Sequence, residues 1–223
     1  MQKGKKKITN IKSWNNRDYF RASIFGSARI EVGDAIYEQV RHLAMLLAEN
    51  RIDVITGGGP GLMKAANEGH KMGTDKNPEN NSLSIGIGVK LPWDQKFNEG
   101  VEYKEKFNRF SKRLDEFMLL SNAVIVTPGG LGTLLELFYT WQLVQVRHIC
   151  NIPIILMGDE WEGLLRWIKD GPLKKNYLDP EDYKLVFHVK NPEDVMKIIE
   201  EAHKSFKLGG KDFCLNFEKY KVD

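Results

Sequence analysis

Cysteine is scarce in this chain: Cys150 and Cys214 are the only two among 223 residues. Two cysteines do not make a disulfide framework, and neither stands in a Cys-x-x-Cys or Cys/His spacing of the kind that binds zinc. A reducing compartment, the cytoplasm, is therefore expected. The five histidines, His42, His70, His148, His188 and His203, are scattered, and none stands at ligand spacing with a carboxylate. Neither a metal site nor a cofactor is expected. No apolar run approaches the roughly 18 to 20 residues of a membrane span, and the basic N-terminus leads into Ile8-Thr9-Asn10-Ile11-Lys12, not into the apolar core of a signal peptide. No membrane partner is expected. Charge of one sign is also lacking: the net charge is +3, part of it from Lys3, Lys5, Lys6 and Lys7. A nucleic-acid footprint needs basic residues gathered on one face, and no such stripe occurs elsewhere. The lysine arm reads as a solvated lead-in, and no nucleic-acid partner is expected.

What is present is a regular alternation of short apolar runs and helical periods. Residues 19–25 read as a first strand, and 34–50 as a helix with Ile36, Val40, Leu43 and Leu47 on one face and Asp34 as its N-cap. A second strand at 52–55 runs through Thr56-Gly57-Gly58-Gly59-Pro60-Gly61 into a helix starting at Leu62. Residues 71–82 are rich in Asn, Lys and Gly and predict a surface loop. A third strand follows at 83–89, then 90–98, whose turn formers and aromatics suit a binding loop. Residues 107–121 read as a helix, 123–127 as a central strand and 134–144 as the central helix. A strand at 152–157, a helix at 161–169, a strand at 185–189 and a helix at 194–204 complete the pattern, the last opened by Asn191 as cap and Pro192 at its first position. Such alternation implies right-handed βαβ units. The expected fold is α/β: a Rossmann-like, doubly wound parallel sheet with helices on both faces. Residues 1–18 are taken as a basic lead-in, 19–204 as one domain and 205–223 as a tail.

Two strand-to-helix turns are built of glycine: Gly57-Gly58-Gly59-Pro60-Gly61, and Pro128-Gly129-Gly130-Leu131-Gly132-Thr133. Glycine lets backbone approach a ligand closely, and a helix start offers unpaired N–H groups and a positive dipole end. Both turns should leave the same edge of the sheet, so together they suggest one anionic ligand, most simply a phosphate. Neither is a P-loop, because Lys64 follows Met63 with no Ser or Thr behind it. The first strand ends in Phe25-Gly26-Ser27-Ala28-Arg29, with one glycine where a dinucleotide fingerprint needs three. Ser27 and Arg29 stand where they can touch base or phosphate.

The stretch Gly57-Gly58-Gly59-Pro60-Gly61-Leu62-Met63, together with Pro128-Gly129-Gly130-Leu131-Gly132-Thr133-Leu134-Leu135-Glu136, resembles the LONELY GUY (LOG) family, often mislabelled lysine decarboxylase. Ser23-Ile24-Phe25-Gly26-Ser27 and Leu91-Pro92-Trp93-Asp94-Gln95-Lys96 are similar to its first strand turn and one of its loops, and the likeness covers roughly residues 20–170. It implies a homodimer with a Rossmann-like sheet that hydrolyses nucleoside 5′-monophosphates to free base and ribose 5-phosphate, using no cofactor. It also implies that Glu136, which closes the Pro-Gly-Gly-x-Gly-Thr-x-x-Glu motif, and Arg113, on the preceding helix, are catalytic. The phosphate cradle it implies is Gly57, Gly58 and Gly59 facing Gly130, Gly132 and Thr133. Leu114 stands where many members have Lys and Leu135 where they have Glu, which bears on base preference.

Read without the resemblance, Glu136 also suits a carboxylate in the first turn of its helix complementing the dipole, and Arg113 a solvated ion pair among Lys112, Asp115 and Glu116. A non-catalytic nucleotide or cofactor carrier using the same cradle is the alternative function; a nucleic-acid-associated protein working through the lysine arm is a third. Phe138, Tyr139 and Trp141 make the central helix apolar nearly all round, which suits burial between the sheet and a partner subunit.

Overall fold

The computed structural model describes residues 20–77, 79–92 and 96–208. Seven strands form one sheet: β1 (Arg21–Phe25), β2 (Asp53–Thr56), β3 (Ser84–Val89), β4 (Tyr103–Phe107), β5 (Ala123–Val126), β6 (Ile154–Met157) and β7 (Val186–Val189). Their spatial order is β4-β3-β2-β1-β5-β6-β7, and every adjacent pair is parallel. Among the described residues seven helices flank the sheet: α1 (Ala35–Glu49), α2 (Leu62–Asp75), α3 (Phe110–Leu120), α4 (Leu131–Gln145), α5 (Trp161–Ile168), α6 (Pro180–Tyr183) and α7 (Pro192–Lys207), with a π-helical turn at Lys169–Leu173. The result is the doubly wound Rossmann-like α/β fold that the alternation predicts.

The strands β5 and β6 are apolar along their whole length because both of their faces are covered. On β5, Ala123 and Ile125 point into one core, with Ala22, Ile24, Val40, Leu43, Leu62 and Ile199, beneath α1, α2 and α7. Val124 and Val126 point into the other, with Phe117, Leu137, Trp141 and Leu165, beneath α3, α4 and α5. The two-residue period of a strand thus serves both layers at once.

Several local readings change. Residues 71–75 are not loop: α2 continues to Asp75 because Gly69 and Gly73 let it lie directly on α1. A methyl group at Gly73 would stand 2.5 Å from the Met45 carbonyl oxygen, and one at Gly69 would overlap that of Arg41. The glycines that lower helix propensity are the ones that permit the contact. Tyr103–Phe107 is an unforeseen edge strand, its pattern Tyr-Lys-Glu-Lys-Phe alternating half-buried and exposed residues. Charged residues on such an edge discourage pairing with another chain. Asp34 occupies the N-cap of α1, but its carboxylate accepts from the Glu31 N–H instead of from the helix. Asn191 does cap α7, accepting from the Asp194 N–H at 2.9 Å, and that helix runs on to Lys207, beyond the expected start of the tail. The basic lead-in and residues 209–223 lie outside the described residues.

Gly69→Ala is expected to destabilise the fold by about 1–3 kcal/mol, the usual range for overpacking. Gly163→Ala, on α5, where nothing lies within 4 Å of the added methyl, should stabilise it by about 0.5–1 kcal/mol. Urea unfolding of both variants beside the parent chain checks the pair.

Candidate active site

The direction of winding reverses between β1 and β5, so the loops that leave their C-terminal ends diverge and open a crevice. Three connections are stitched together beneath it. The Ser27 N–H donates to the Pro128 carbonyl at 3.0 Å, and the Leu62 N–H to the Ser27 carbonyl at 2.8 Å. The Thr127 hydroxyl donates to the Phe25 carbonyl at 2.8 Å. A cavity of about 610 Å³ lies above this seam. Its walls include all ten residues singled out from sequence: Ser27, Arg29, Gly57, Gly58, Gly59, Arg113, Gly130, Gly132, Thr133 and Glu136.

The two glycine turns contribute differently. Gly130 is the N-cap of α4 and supplies no side-chain cap, so the first N–H groups of that helix have no capping partner of that kind. Added methyl groups at Gly130 and Gly132 would meet nothing within 4 Å, which leaves the helix start open to the cavity. Thr133 is buried, with its side chain against Gly129. The Gly57–Gly59 turn is instead occupied by the protein itself. The Gly58 N–H already donates to the Thr56 hydroxyl at 2.9 Å, and the Asn98 amide donates to the Gly59 carbonyl at 2.8 Å. A methyl at Gly57 would lie 2.7 Å from Arg113 Nη2, and Gly58, at φ +71°, faces the Phe97 ring. Protein side chains account for the glycines at 57 and 58. Ser27 likewise has its hydroxyl engaged, accepting from the Arg29 N–H at 3.1 Å.

Arg113 and Glu136, 23 positions apart on α3 and α4, meet side by side. Arg113 Nη1 donates to Glu136 Oε1 at 2.8 Å. Its Nε donates to the Ile87 carbonyl at 2.8 Å, and the guanidinium lies 4.8 Å over the Phe117 ring. Carbonyl, ring and carboxylate together hold the fork in one orientation. Glu136 is the sixth residue of α4, so it sits in the second turn and not the first. It is 8% exposed, too deep for a surface carboxylate that only complements the helix dipole. Burial pushes its carboxyl above the ordinary value of 4.5, and the Arg113 charge opposes that shift.

Residues not singled out from sequence add to the walls, among them Met63, Phe110 and Lys106. Lys106 belongs to the strand that the sequence concealed, whereas Lys96 and Phe97 fall in the loop that composition marked as a binding loop. Among the described residues, the cationic side chains lining the cavity are Arg29, Lys96, Lys106 and Arg113, against one carboxylate, Glu136. An anionic ligand is the complement. Among the described residues, no group of three or more His, Cys, Asp or Glu side chains could hold a metal ion, and no helix is long and apolar enough to cross a membrane. The central helix is only partly buried: Trp141 is covered, but Leu131, Leu135 and Phe138, spaced by four and three residues, are exposed along one side.

Arg113→Met strands a carboxylate in a nearly dry wall and should destabilise the fold by about 3–5 kcal/mol. Adding Glu136→Gln should recover most of that loss, because no buried charge then lacks a partner. Denaturant midpoints for the two single variants and the double variant close the cycle.

Comparison with known proteins agrees with this picture. The family described as possible lysine decarboxylase matches residues 63–199, more than half of the chain. A pyrimidine/purine nucleotide 5′-monophosphate nucleosidase of Escherichia coli (strain K12) is 30% identical over 129 residues. That stretch is 55% of this chain, and the chain spans only 28% of that relative's length. Among solved structures, the molybdenum cofactor binding protein of Rippkaea orientalis superposes with a TM-score of 0.60 at 20% identity, over 82% of this chain and 96% of that one. The Moco carrier protein of Chlamydomonas reinhardtii does so with a TM-score of 0.57 at 18% identity, over 84% and 99%. At such identities these structures speak for the fold alone. The family match, with the two glycine motifs around one cavity, makes the chain a member of the LONELY GUY (LOG) family, the group described as possible lysine decarboxylase.

Proposed function

We propose that the protein hydrolyses the N-glycosidic bond of nucleoside 5′-monophosphates, releasing the free base and ribose 5-phosphate. The observation that carries this reading is the Arg113–Glu136 pair, set in the wall of a cation-lined cavity beside the open start of α4. Family membership and the nucleosidase relative support it.

In this reading the 5′-phosphate takes the N–H groups at the start of α4, where backbone donors and the helix dipole both favour an anion. The sugar then lies toward Glu136, one to two turns along the same helix. As the bond from C1′ to the base nitrogen breaks, its electron pair leaves with the base and positive charge develops on the ring oxygen and C1′. The Glu136 carboxylate stabilises that charge and takes a proton from the water that attacks C1′; the proton then passes to the departing base. Arg113 is a positioning residue, holding the carboxylate in one orientation. No step calls on a metal or cofactor.

A second reading is a non-catalytic carrier of a nucleotide or an anionic cofactor, supported by the fold's likeness to molybdenum cofactor binding proteins and by the cationic lining. Tight binding of such a ligand without turnover would favour it. The exposed stripe Leu131, Leu135 and Phe138 suits a homodimer with α4 at its interface. Leu135→Glu is expected to shift the sedimentation coefficient from dimer to monomer; an unchanged dimer would move the interface elsewhere.

Incubation with AMP, GMP, CMP and UMP, with released base followed by chromatography, tests the activity; no base from any of them would refute hydrolysis. Glu136→Gln should lower release by about 10²–10⁴-fold while AMP still binds. Release should rise with pH as Glu136 loses its proton. Because burial raises the carboxyl, the midpoint of that acidic limb should lie above 4.5.

A further inference from the structure

The cavity has a second end, over β3 and β4, whose character is apolar. At about 4.8 Å per strand, the end of β3 stands roughly 14 Å from that of β5. Val89 and Leu91 border this end, and Lys106 is paired in register with Gly88. An aromatic ring occupies it in a seat made of glycine. Methyl groups at Gly86 and Gly88 would each come within 2.9 Å of Phe97, from Cδ1 and Cζ respectively, and one at Gly58 would overlap the same ring edge. Gly86 and Gly88 alternate on β3 with Ile85 and Ile87, which are wholly buried in the core below. Glycine in a strand interior forfeits packing, and here the ring fills the space.

The ring is also held from behind. The Asn98 N–H donates to the Gly58 carbonyl at 2.8 Å, and the Asn98 amide donates to the Gly59 carbonyl at 2.8 Å and to Asn67 Oδ1 at 2.9 Å. The Asn67 amide in turn donates to the Ser84 hydroxyl at 2.8 Å. These bonds tie the residue next to Phe97 to the turn after β2 and, through Asn67, to the start of β3, so the ring is a fixed wall of the cavity. Phe97 is only partly buried and lines the cavity, while its Cδ1, Cε1 and Cζ atoms face the glycines; Val101 shares the space over Gly86.

We propose that Phe97 is the platform on which the nucleobase stacks, and so the residue that sets base preference in this site. The inference rests on the nucleotide reading above and adds the end of the substrate that the glycine motifs do not address. Stacking on an aromatic side chain is tolerant of base identity and grows with overlap, so purine nucleotides should depend on Phe97 more than pyrimidine nucleotides do.

The test is calorimetric titration with AMP, UMP and ribose 5-phosphate, the last lacking a base. Phe97→Leu should weaken AMP by about ten-fold, UMP by less, and leave ribose 5-phosphate unchanged; Phe97→Tyr should restore AMP binding. Equal losses for AMP and ribose 5-phosphate, or no loss for AMP, would overturn the proposal. Should Phe97→Leu fail to fold, Gly88→Ala displaces the ring by its added methyl. A selective loss of AMP then supports the platform, and unchanged AMP binding overturns it. Native protein that binds AMP through Phe97 yet releases no adenine would defeat the hydrolase reading and leave this one standing. Native protein that releases adenine while Phe97→Leu binds AMP normally would do the reverse.

Discussion

A carboxylate and a guanidinium withdrawn together from water are the constraint on which the rest of this site depends. Glu136 is nearly dry, and a lone carboxylate there would either take up a proton or destabilise the fold. Arg113 keeps it paired, and the geometry of Arg113 is itself fixed by a carbonyl of β3, a ring of α3 and the absence of a side chain at Gly57. Each neighbouring choice can be followed from that pair. Gly57 makes room for the guanidinium, Phe117 underlies it, and the early start of α4 carries residue 136 down into the wall.

The doubly wound sheet explains why the pair sits where a ligand can reach it. Reversal of winding between β1 and β5 parts their loops, and the bonds from Ser27 to Pro128 and from Leu62 to Ser27 keep the floor of the gap closed. The helix dipole of α4 points into the gap from one side, while β3 and β4 bring apolar surface and lysine from the other. In the proposed reading the start of α4 takes the phosphate, Glu136 faces the sugar and Phe97 the base, all three bordering one cavity.

Much of this was legible in the amino-acid sequence because it is local. Strand-to-helix turns show themselves by their glycines, buried parallel strands by unbroken apolar runs, and the cap at Asn191 by the proline behind it. What depended on contacts between distant elements was not. Gly73 reads as a loop former until α1 is seen lying on it and on Gly69, and β4 hides in a pattern of alternating charge that belongs to a sheet edge. Glu136 and Arg113 were named through a motif, but nothing in their spacing says that they touch. The three glycines at 57–59 read as a phosphate cradle; in the fold they line the cavity, with Arg113 and Phe97 against the first two and the Gly58 N–H donating to Thr56, whereas the start of α4 carries no side-chain cap. Phe97 itself stood in a stretch marked only as a binding loop, and its partners Gly86 and Gly88 lie within the third strand, where nothing in the sequence points to the ring.

In the proposed function the start of α4 holds the phosphate and Glu136 faces the sugar. A crystal structure of Glu136→Gln soaked with AMP tests it most directly. The claim predicts phosphate oxygens about 3 Å from the backbone N–H groups of residues 131–133, with C1′ turned toward the side chain at 136. A phosphate seated instead on Lys96 and Lys106, with the ribose turned away from residue 136, would contradict it.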